Sequence, residues 1–400
     1  MRDWRRAAAA LALWVGAGTG VPASAQGPEG APPAPAEGSV RVAVFNASLS
    51  RNGAGLALKA IVDRDAQPLA VAAILRAVRP DIVAILELDH DPEGQALTAL
   101  ASLLAEPGEG GAPGLDYPHL FTAPPNTGYP SGYDLDGDGA AAGPDDARGW
   151  GRYPGHYGMA VLSRLPLEQG AIRTFRTLPW AAMPGHLMPE GHFPAAAEPD
   201  LPLSSKSHWD VPARLPDGRA LHLLISHPTP PVFDGPEDRN GRRNHDETRF
   251  WVDYVSGEGW MTDDQGRGGG LASEAPFAVL GDLNADPFDG DARREALEAL
   301  LAHPRVQDPR PRSEGAVAAA RAQGDANARQ RGDPAFDTAD WRDSPGPGNL
   351  RVDYVLPSRD WEVTGAGVFW PAPGAPMASL MAGGRRPASS DHRLVWADLR

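Results

Sequence analysis

The chain has 400 residues, a formal net charge of −15, 46 glycines, 42 prolines and no cysteine. The missing cysteine excludes a disulfide framework, thiolate metal sites and a cysteine nucleophile, and a hydrophobic fraction of 42% excludes a chain disordered throughout. The acidic balance argues against a protein that coats nucleic acid through a broad positive face, so no stable nucleic-acid partner is expected.

Residues 1–6, MRDWRR, set three arginines against one aspartate ahead of an apolar run from Ala7 to Val21, and Ala23-Ser24-Ala25 follow as a small-x-small site. That order predicts a secretory signal peptide over 1–25 and a periplasmic or extracellular product. The run is shorter and more interrupted than the roughly 20 apolar residues of a membrane span, and no later segment resembles a transmembrane one. Residues 26–38, rich in Pro, Ala and Gly, read as a tether with nothing to bury. From 39 to 400 the pattern reads as one domain, in which short apolar strands alternate with long polar loops.

Strands are predicted over 40–46, 82–88, 159–163, 221–226, 277–283, 352–356 and 393–399, several of them near-continuous apolar runs of the kind covered on both faces. One helix is predicted to end before Pro80, with Leu69, Ala72, Ala73, Arg76 and Ala77 on one face. A second opens near Asn244 with a stripe of Phe250, Trp251, Tyr254 and Val255, and a third carries Leu297, Leu300 and Leu301. Residues 106–114, 263–275, 310–335 and 371–388 read as loop insertions, and 126–155 as an acidic one.

Chemistry concentrates at strand ends. Asn46 closes the first strand, and Glu87 interrupts DIVAILEL (81–88). GDLNADP (281–287) sets Asp282 and Asn284 two apart, so that both project from one face of a strand end. RVDYVLPS (351–358) holds Asp353 among apolar neighbours, and SSDHRL (389–394) puts Asp391 beside His392. Singly, such residues are ordinary turn formers and caps. Glu87 and Asp353 differ, because a charge inside an apolar run is costly without a partner. The donors are all oxygens, which suits Mg²⁺, Mn²⁺ or Ca²⁺ better than zinc; adjacent histidines then serve proton transfer or oxyanion contact.

Taken in order, Asn46, PDIV followed by Glu87, HYGMAVLSRLPL, a strand ending in His227-Pro228, GDLN, RVDYVL and a final SSDH resemble the endonuclease/exonuclease/phosphatase superfamily over about residues 39–400. The resemblance implies an α/β (α+β) four-layer sandwich, two central mixed β-sheets flanked by helices, with the site at one sheet edge. It implies Asn46 and Glu87 as metal ligands, with Asp391 as an additional metal-side acid and Mg²⁺ or Mn²⁺ as the cofactor. It places His227 against the scissile phosphate and gives Asp282 the attacking water. Asn284 becomes the phosphate-side amide, and Asp353 orients His392, which stabilises the pentacovalent phosphate or moves a proton. Calcineurin-type phosphoesterases also carry a Gly-Asp motif, but here NHDE (244–247) lacks the preceding glycine and comes before GDLN.

Two segments lie outside that pattern. DLDGDGAAAGPD sets Asp134, Asp136 and Asp138 at alternate positions and Asp145 at the twelfth, the spacing of a calcium loop, with Asp in place of the usual bidentate Glu. Arg242, Arg243 and Arg249 cluster after His227 as candidates to grip an acidic substrate group; a solvated helix start is an equal reading. Lys206, one of two lysines, and His208 share one face of a strand candidate and are further phosphate contacts.

The sequence therefore reads as a secreted, divalent-metal-dependent phosphoesterase that hydrolyses a small or soluble phosphate ester by in-line attack of activated water. An extracellular nuclease or phospholipid phosphodiesterase is the alternative within the same class, with Phe369-Trp370 as its only candidate for docking on a bilayer. The alternative of another class is a non-catalytic calcium-binding surface protein.

Overall fold

The computed structural model describes residues 30–381 and 388–400; the expected signal segment lies outside the described residues. In chain order the elements are β1 (Val40–Asn46), α1 (Leu56–Val62), α2 (Ala66–Val78), β2 (Ile82–Leu86), α3 (Gln95–Ala105), β3 (His119–Phe121) and β4 (Met159–Ser163). There follow β5 (Arg173–Thr174), β6 (His208–Arg214), β7 (Ala220–Ser226), α4 (Arg239–Val255), β8 (Phe277–Asp282), α5 (Glu295–Ala302) and α6 (Glu314–Gln323). The chain closes with β9 (Ala339–Asp340), β10 (Asn349–Leu350), β11 (Asp353–Pro357), β12 (Val363–Val368) and β13 (Val395–Leu399).

Two mixed sheets result, in the orders β12-β13-β1-β2-β4-β3 and β11-β8-β7-β6-β5. Each contains one parallel pair, β1–β2 and β7–β8. Parallel neighbours need a crossover, and α1–α2 and α4 supply them. Alternate side chains assign the faces. Val42, Val44, Ile82, Ala84 and Leu86 of the first sheet pack on Trp209, Val211, Leu223, Ile225 and Leu280 of the second. On the outer faces, Phe45, Val83 and Ile85 lie under Val71, Leu75 and Leu100 of α2 and α3. Leu224, Val279 and Leu356 lie under Phe250, Trp251, Tyr254 and Leu297 of α4 and α5. Helix, sheet, sheet and helix make the four-layer sandwich, and its central strands β1, β2, β4, β8, β11 and β13 are buried on both faces, as their apolar runs predict.

Four local expectations differ from the structure. Residues 30–38 do not hang free: Ala31 packs against the α2–α3 core, and the Pro33 carbonyl accepts from Arg41 Nη2 at 2.7 Å. That same guanidinium is buried and grips Asp398 with Nε and Nη2 at 2.7 and 2.8 Å, so the tether is anchored through an arginine already fixed to the last strand. Helix α4 begins at Arg239, ahead of Asn244. The 310–335 insertion contains α6, whose first turn is capped by Ser313 Oγ accepting from Ala316 N at 3.1 Å. Phe369 and Trp370 are buried in the sandwich and offer nothing to a bilayer. Among the described residues no helix is long and apolar enough to cross a membrane.

Candidate active site

The sheet registers bring the strand-end residues to one edge. Asn46 ends β1 opposite Leu86, so Glu87 emerges just beyond it. His227 follows β7, and Asp282 ends the neighbouring β8 directly opposite Asp353, the first residue of β11. His392 precedes β13, next to β1. One sheet thus carries Asn46, Glu87, Asp391 and His392, and the other carries His227, Asp282, Asn284 and Asp353. Two of these residues hold rare left-handed backbone conformations, Glu87 with φ 58° and Asn284 with φ 50°. Side chains brace both: Ser50 Oγ donates to the Glu87 carbonyl at 2.9 Å, and the Asn284 N–H donates to Asp282 Oδ1 at 2.9 Å.

Asp282 is the hub. Its Oδ2 accepts from Asn46 Nδ2 at 3.1 Å and lies 3.3 Å from His227 Nε2 and 3.6 Å from His392 Nε2. Asn46 Nδ2 also reaches Glu87 Oε1 at 3.3 Å. On its other side, His392 Nδ1 meets Asp353 Oδ2 at 2.9 Å, and that oxygen also accepts from Thr338 Oγ1 at 2.8 Å. Burial would raise the Asp282 carboxyl, but the imidazoles of His392 and His227 overcome it and hold the group well below the usual carboxylate range. His392 titrates well above an ordinary histidine: burial opposes its charge, and the carboxylates of Asp353 and Asp282 outweigh burial. His227 goes the other way, to about 4, through burial and the nearby Lys206 ammonium. Two similar imidazoles around one carboxylate are thus biased in opposite directions, His392 toward the cation and His227 toward the neutral ring.

Glu87 is pushed up to about 7, first by burial and then by the facing charge of Asp391. Two acids that repel in a low-dielectric site, with an amide beside them and no thiolate, form a donor set that fits a hard divalent cation. The tighter group of Asp282, Asp353 and His392, whose ligand atoms fall within 4.8 Å of one another, is instead tied together by the His392 imidazole, which meets Asp353 Oδ2 through Nδ1 and faces Asp282 through Nε2. Asn46, Glu87 and Asp391 are therefore the residues that would hold a metal.

The remaining sequence candidates separate. Lys206 is buried beside the site, its Nζ 3.5 Å from the Pro228 carbonyl, which also accepts from Asn284 Nδ2 at 3.1 Å. His208 is a core residue: its Nε2 donates to the Glu247 carbonyl at 2.8 Å, Nδ1 faces Ser204 Oγ, and the ring packs on Phe250 and Trp251. The three arginines do not line the cleft. Arg243 donates to the carbonyls of Leu203, Arg148 and Pro202 at 3.0, 2.9 and 2.8 Å, Arg242 Nε to that of Glu237 at 3.0 Å, and Arg249 Nη1 to that of Gly185 at 3.2 Å. A guanidinium's five donors make it a clamp for loop backbone as readily as for phosphate, and that is their use here. In the acidic insertion Asp134, Asp136 and Asp138 converge, with Asp134 accepting from the N–H groups of Gly137 and Gly139 at 2.8 and 2.9 Å. Asp145 is exposed and outside that cluster; the neighbouring Asp146 turns inward, its Oδ1 accepting from Leu135 N at 2.6 Å.

Sequence reasoning missed the cleft's walls. Its volume is about 1510 Å³, and Phe233, Trp341 and Arg342 line it together with the Asp282 cluster. Trp341 stands edge-on to the His392 ring, with centroids 5.3 Å apart. These residues come from loops, where no periodicity marks a side chain's direction.

The fold is a two-sheet sandwich with imidazoles, carboxylates and amides meeting at one strand edge. The Endonuclease/Exonuclease/phosphatase family model matches residues 44–392, and the chain belongs to that family, whose members are hydrolases acting on phosphate esters. No curated protein sequence matches it. Among solved structures it is similar to an endonuclease/exonuclease/phosphatase from Beutenbergia cavernae, with 18% identity, a TM-score of 0.52, and coverage of 90% of this chain and 71% of that one. It is also similar to a mannosyl-6-phosphatase of Bacteroides thetaiotaomicron, at 12% identity and TM-score 0.47 over 90% and 100% of the two chains. Sphingomyelinase C from Streptomyces griseocarneus gives 16% identity and a TM-score of 0.44 over 90% and 99%.

Proposed function

We propose that the protein is a divalent-metal-dependent phosphoesterase, exported by its N-terminal segment to the periplasm or beyond, that hydrolyses a small or soluble phosphate ester by in-line attack of water. The observation that carries this reading is the pair of imidazoles, His227 and His392, that face the one buried carboxylate of Asp282 at 3.3 and 3.6 Å. Asp282 orients the attacking water and accepts its proton. His392, held by Asp353, presents a cation to the charge that builds on the phosphoryl oxygens, and His227 contacts the same phosphate. Asn284, tethered to Pro228, stands on the phosphate side. A divalent ion at Asn46, Glu87 and Asp391, Mg²⁺ or Mn²⁺, would supply further charge neutralisation for an anionic ester that repels nucleophiles. In the acidic insertion, Asp134, Asp136 and Asp138 are assigned to Ca²⁺.

The test is hydrolysis of a chromogenic phosphate monoester and its diester with Mg²⁺, Mn²⁺ or Ca²⁺, with a chelator as control. Turnover that requires metal and disappears in Asp282→Ala, with folding intact, is expected. Full activity in that variant would remove Asp282 from the site. Absence of turnover with either ester would favour the calcium-binding surface protein. Preference for the diester would turn the search to nucleic acid and phospholipid.

A further inference from the structure

The NHDE run plays no part in the chemistry above, yet two of its members are buried against the loops that carry it. In the segment His227-Pro228-Thr229-Pro230-Pro231, prolines leave Thr229 as the only backbone N–H after the histidine. Helix α4 takes both of its backbone groups. Glu247 Oε2 accepts from Thr229 N at 2.6 Å, and Asn244 Nδ2 donates to the Thr229 carbonyl at 2.8 Å. The same Asn244 nitrogen donates to the carbonyl of Leu283, the residue between Asp282 and Asn284, at 2.9 Å. Glu247 Oε1 accepts from Ser205 N and Ser205 Oγ at 2.6 and 2.9 Å, next to Lys206. One turn further on, Trp251 Nε1 donates to Ser226 Oγ at 2.8 Å, immediately before His227. Residues 244, 247 and 251 are spaced i, i+3, i+7 and so form one stripe of the helix. All three are essentially without solvent exposure.

We infer that Asn244, Glu247 and Trp251 are positioning residues, a brace that sets the His227, Asp282–Asn284 and Lys206 loops relative to one another without touching substrate. The inference rests on the phosphoesterase reading. Apolar contacts alone would hold α4 on the sheet. Three buried polar groups that between them hold Ser226, Thr229, Leu283 and Ser205 fix direction and spacing, which nondirectional packing does not. Misplacement of reacting groups by about 1 Å costs on the order of 10²-fold in rate. The brace does not contact Asn46, Glu87 or Asp391, so it acts on turnover and leaves metal binding alone. Asp246 is the internal control. It is equally buried on the same helix, but it accepts from Trp180 Nε1 and Leu187 N at 2.7 and 2.6 Å, far from the site's loops in sequence.

The experiment compares the full chain with Asn244→Ala, Glu247→Ala, Glu247→Gln and Asp246→Asn in the Mn²⁺-dependent ester assay, each at a temperature where thermal melting shows it folded. Asn244→Ala and Glu247→Ala are expected to lower kcat about 10²-fold, with the Mn²⁺ concentration for half-maximal rate changed less than about twofold. Glu247→Gln keeps one of the two oxygens and should fall between alanine and wild type. It decides the matter, with Asn244→Ala, if Glu247→Ala does not fold. Asp246→Asn should lower the melting temperature and keep kcat. Wild-type kcat in the folded brace variants, an equal loss of kcat in Asp246→Asn, or a loss reversed by excess Mn²⁺ would overturn the inference while the phosphoesterase reading stands. A wild-type protein with no turnover on any metal would overturn that reading, and the inference with it.

Discussion

Asp282 and Asp353 stand directly opposite each other in the antiparallel pair of β8 and β11, and the ring of His392 spans them, Nδ1 at 2.9 Å from one carboxylate and Nε2 at 3.6 Å from the other. Like charges directly across a ladder repel; burial and the facing Asp282 raise Asp353 to about 6, and the His392 ring between them offsets the repulsion by taking up a proton more readily than an ordinary histidine. His392→Ala should therefore lower kcat by on the order of 10²–10³. Asp353→Asn should lower it as well, with the acid-side activity limit of its pH–rate profile unchanged and the alkaline limit moved down, because His392 then loses its proton more readily. A pH–rate profile of the folded Asp353→Asn variant that superimposes on the wild type would remove this role.

The metal assignment is checked by Glu87→Gln and Asp391→Asn. Each removes one member of the repelling pair and should raise the Mn²⁺ concentration for half-maximal activity by at least ~10-fold. Thermal melting without metal should not fall, and for Glu87→Gln it should rise, since the repulsion between Glu87 and Asp391 is removed. Unchanged Mn²⁺ dependence in both variants would move the metal elsewhere.

Acid stability follows from His208. Its Nε2–H is committed to the Glu247 carbonyl and its Nδ1 accepts from Ser204, so the ring has no acceptor for a second proton. Burial pushes it down from 6.5 to about 4. The unfolded chain binds that proton below pH 6.5 and the folded chain only near pH 4. The stabilisation is thus complete above pH 6.5 and lost as pH falls through that window, on the order of 3 kcal/mol by pH 4. His156, also pushed to about 4 by burial, adds in the same direction. Urea unfolding of His208→Gln at pH 7 and pH 5 should show a smaller difference between the two pH values than the wild type. An equal difference would count against the assignment.

Calcium should raise the melting temperature of the wild type, by about 2.7 kcal/mol of stability at a hundredfold excess over its dissociation constant, and Asp136→Ala should abolish the gain. The site lacks the bidentate glutamate of tight loops and should require roughly 10⁻⁴–10⁻³ M calcium. A Ca²⁺ response that persists in Asp136→Ala would place the ion outside the loop.

What could be read from the chain before its structure was the part governed by strand periodicity. Asn46, Glu87, Asp282 and Asp353 are polar interruptions at the ends of apolar runs, and sheet register carries such positions to one edge. His227 and His392 took their roles from the family resemblance, which strand periodicity alone does not supply. For Arg242, Arg243 and Arg249 substrate grip and a solvated helix start stay equal readings in the sequence, because charge density says nothing about which acceptor a guanidinium meets; the backbone carbonyls of 148, 202 and 203 that Arg243 holds arrive only through the tertiary fold. Thr338, Trp341 and Phe233 were invisible because loop residues have no pattern to place them. His208 shared its strand face with Lys206 in sequence, but α4 covers it.

Strand β13 lies inside its sheet, between β12 and β1, and His392 is carried just ahead of it. The first strand of the domain therefore stays unpaired on one side until the last residues of the chain are present. Asn46 and His392 can meet only through that late, long-range pairing, and contacts of such wide sequence separation are slow to form. Hydrolysis should consequently switch on as a single late event in refolding, after most secondary structure has formed, so that recovery of activity is a direct clock for the closing of the first sheet.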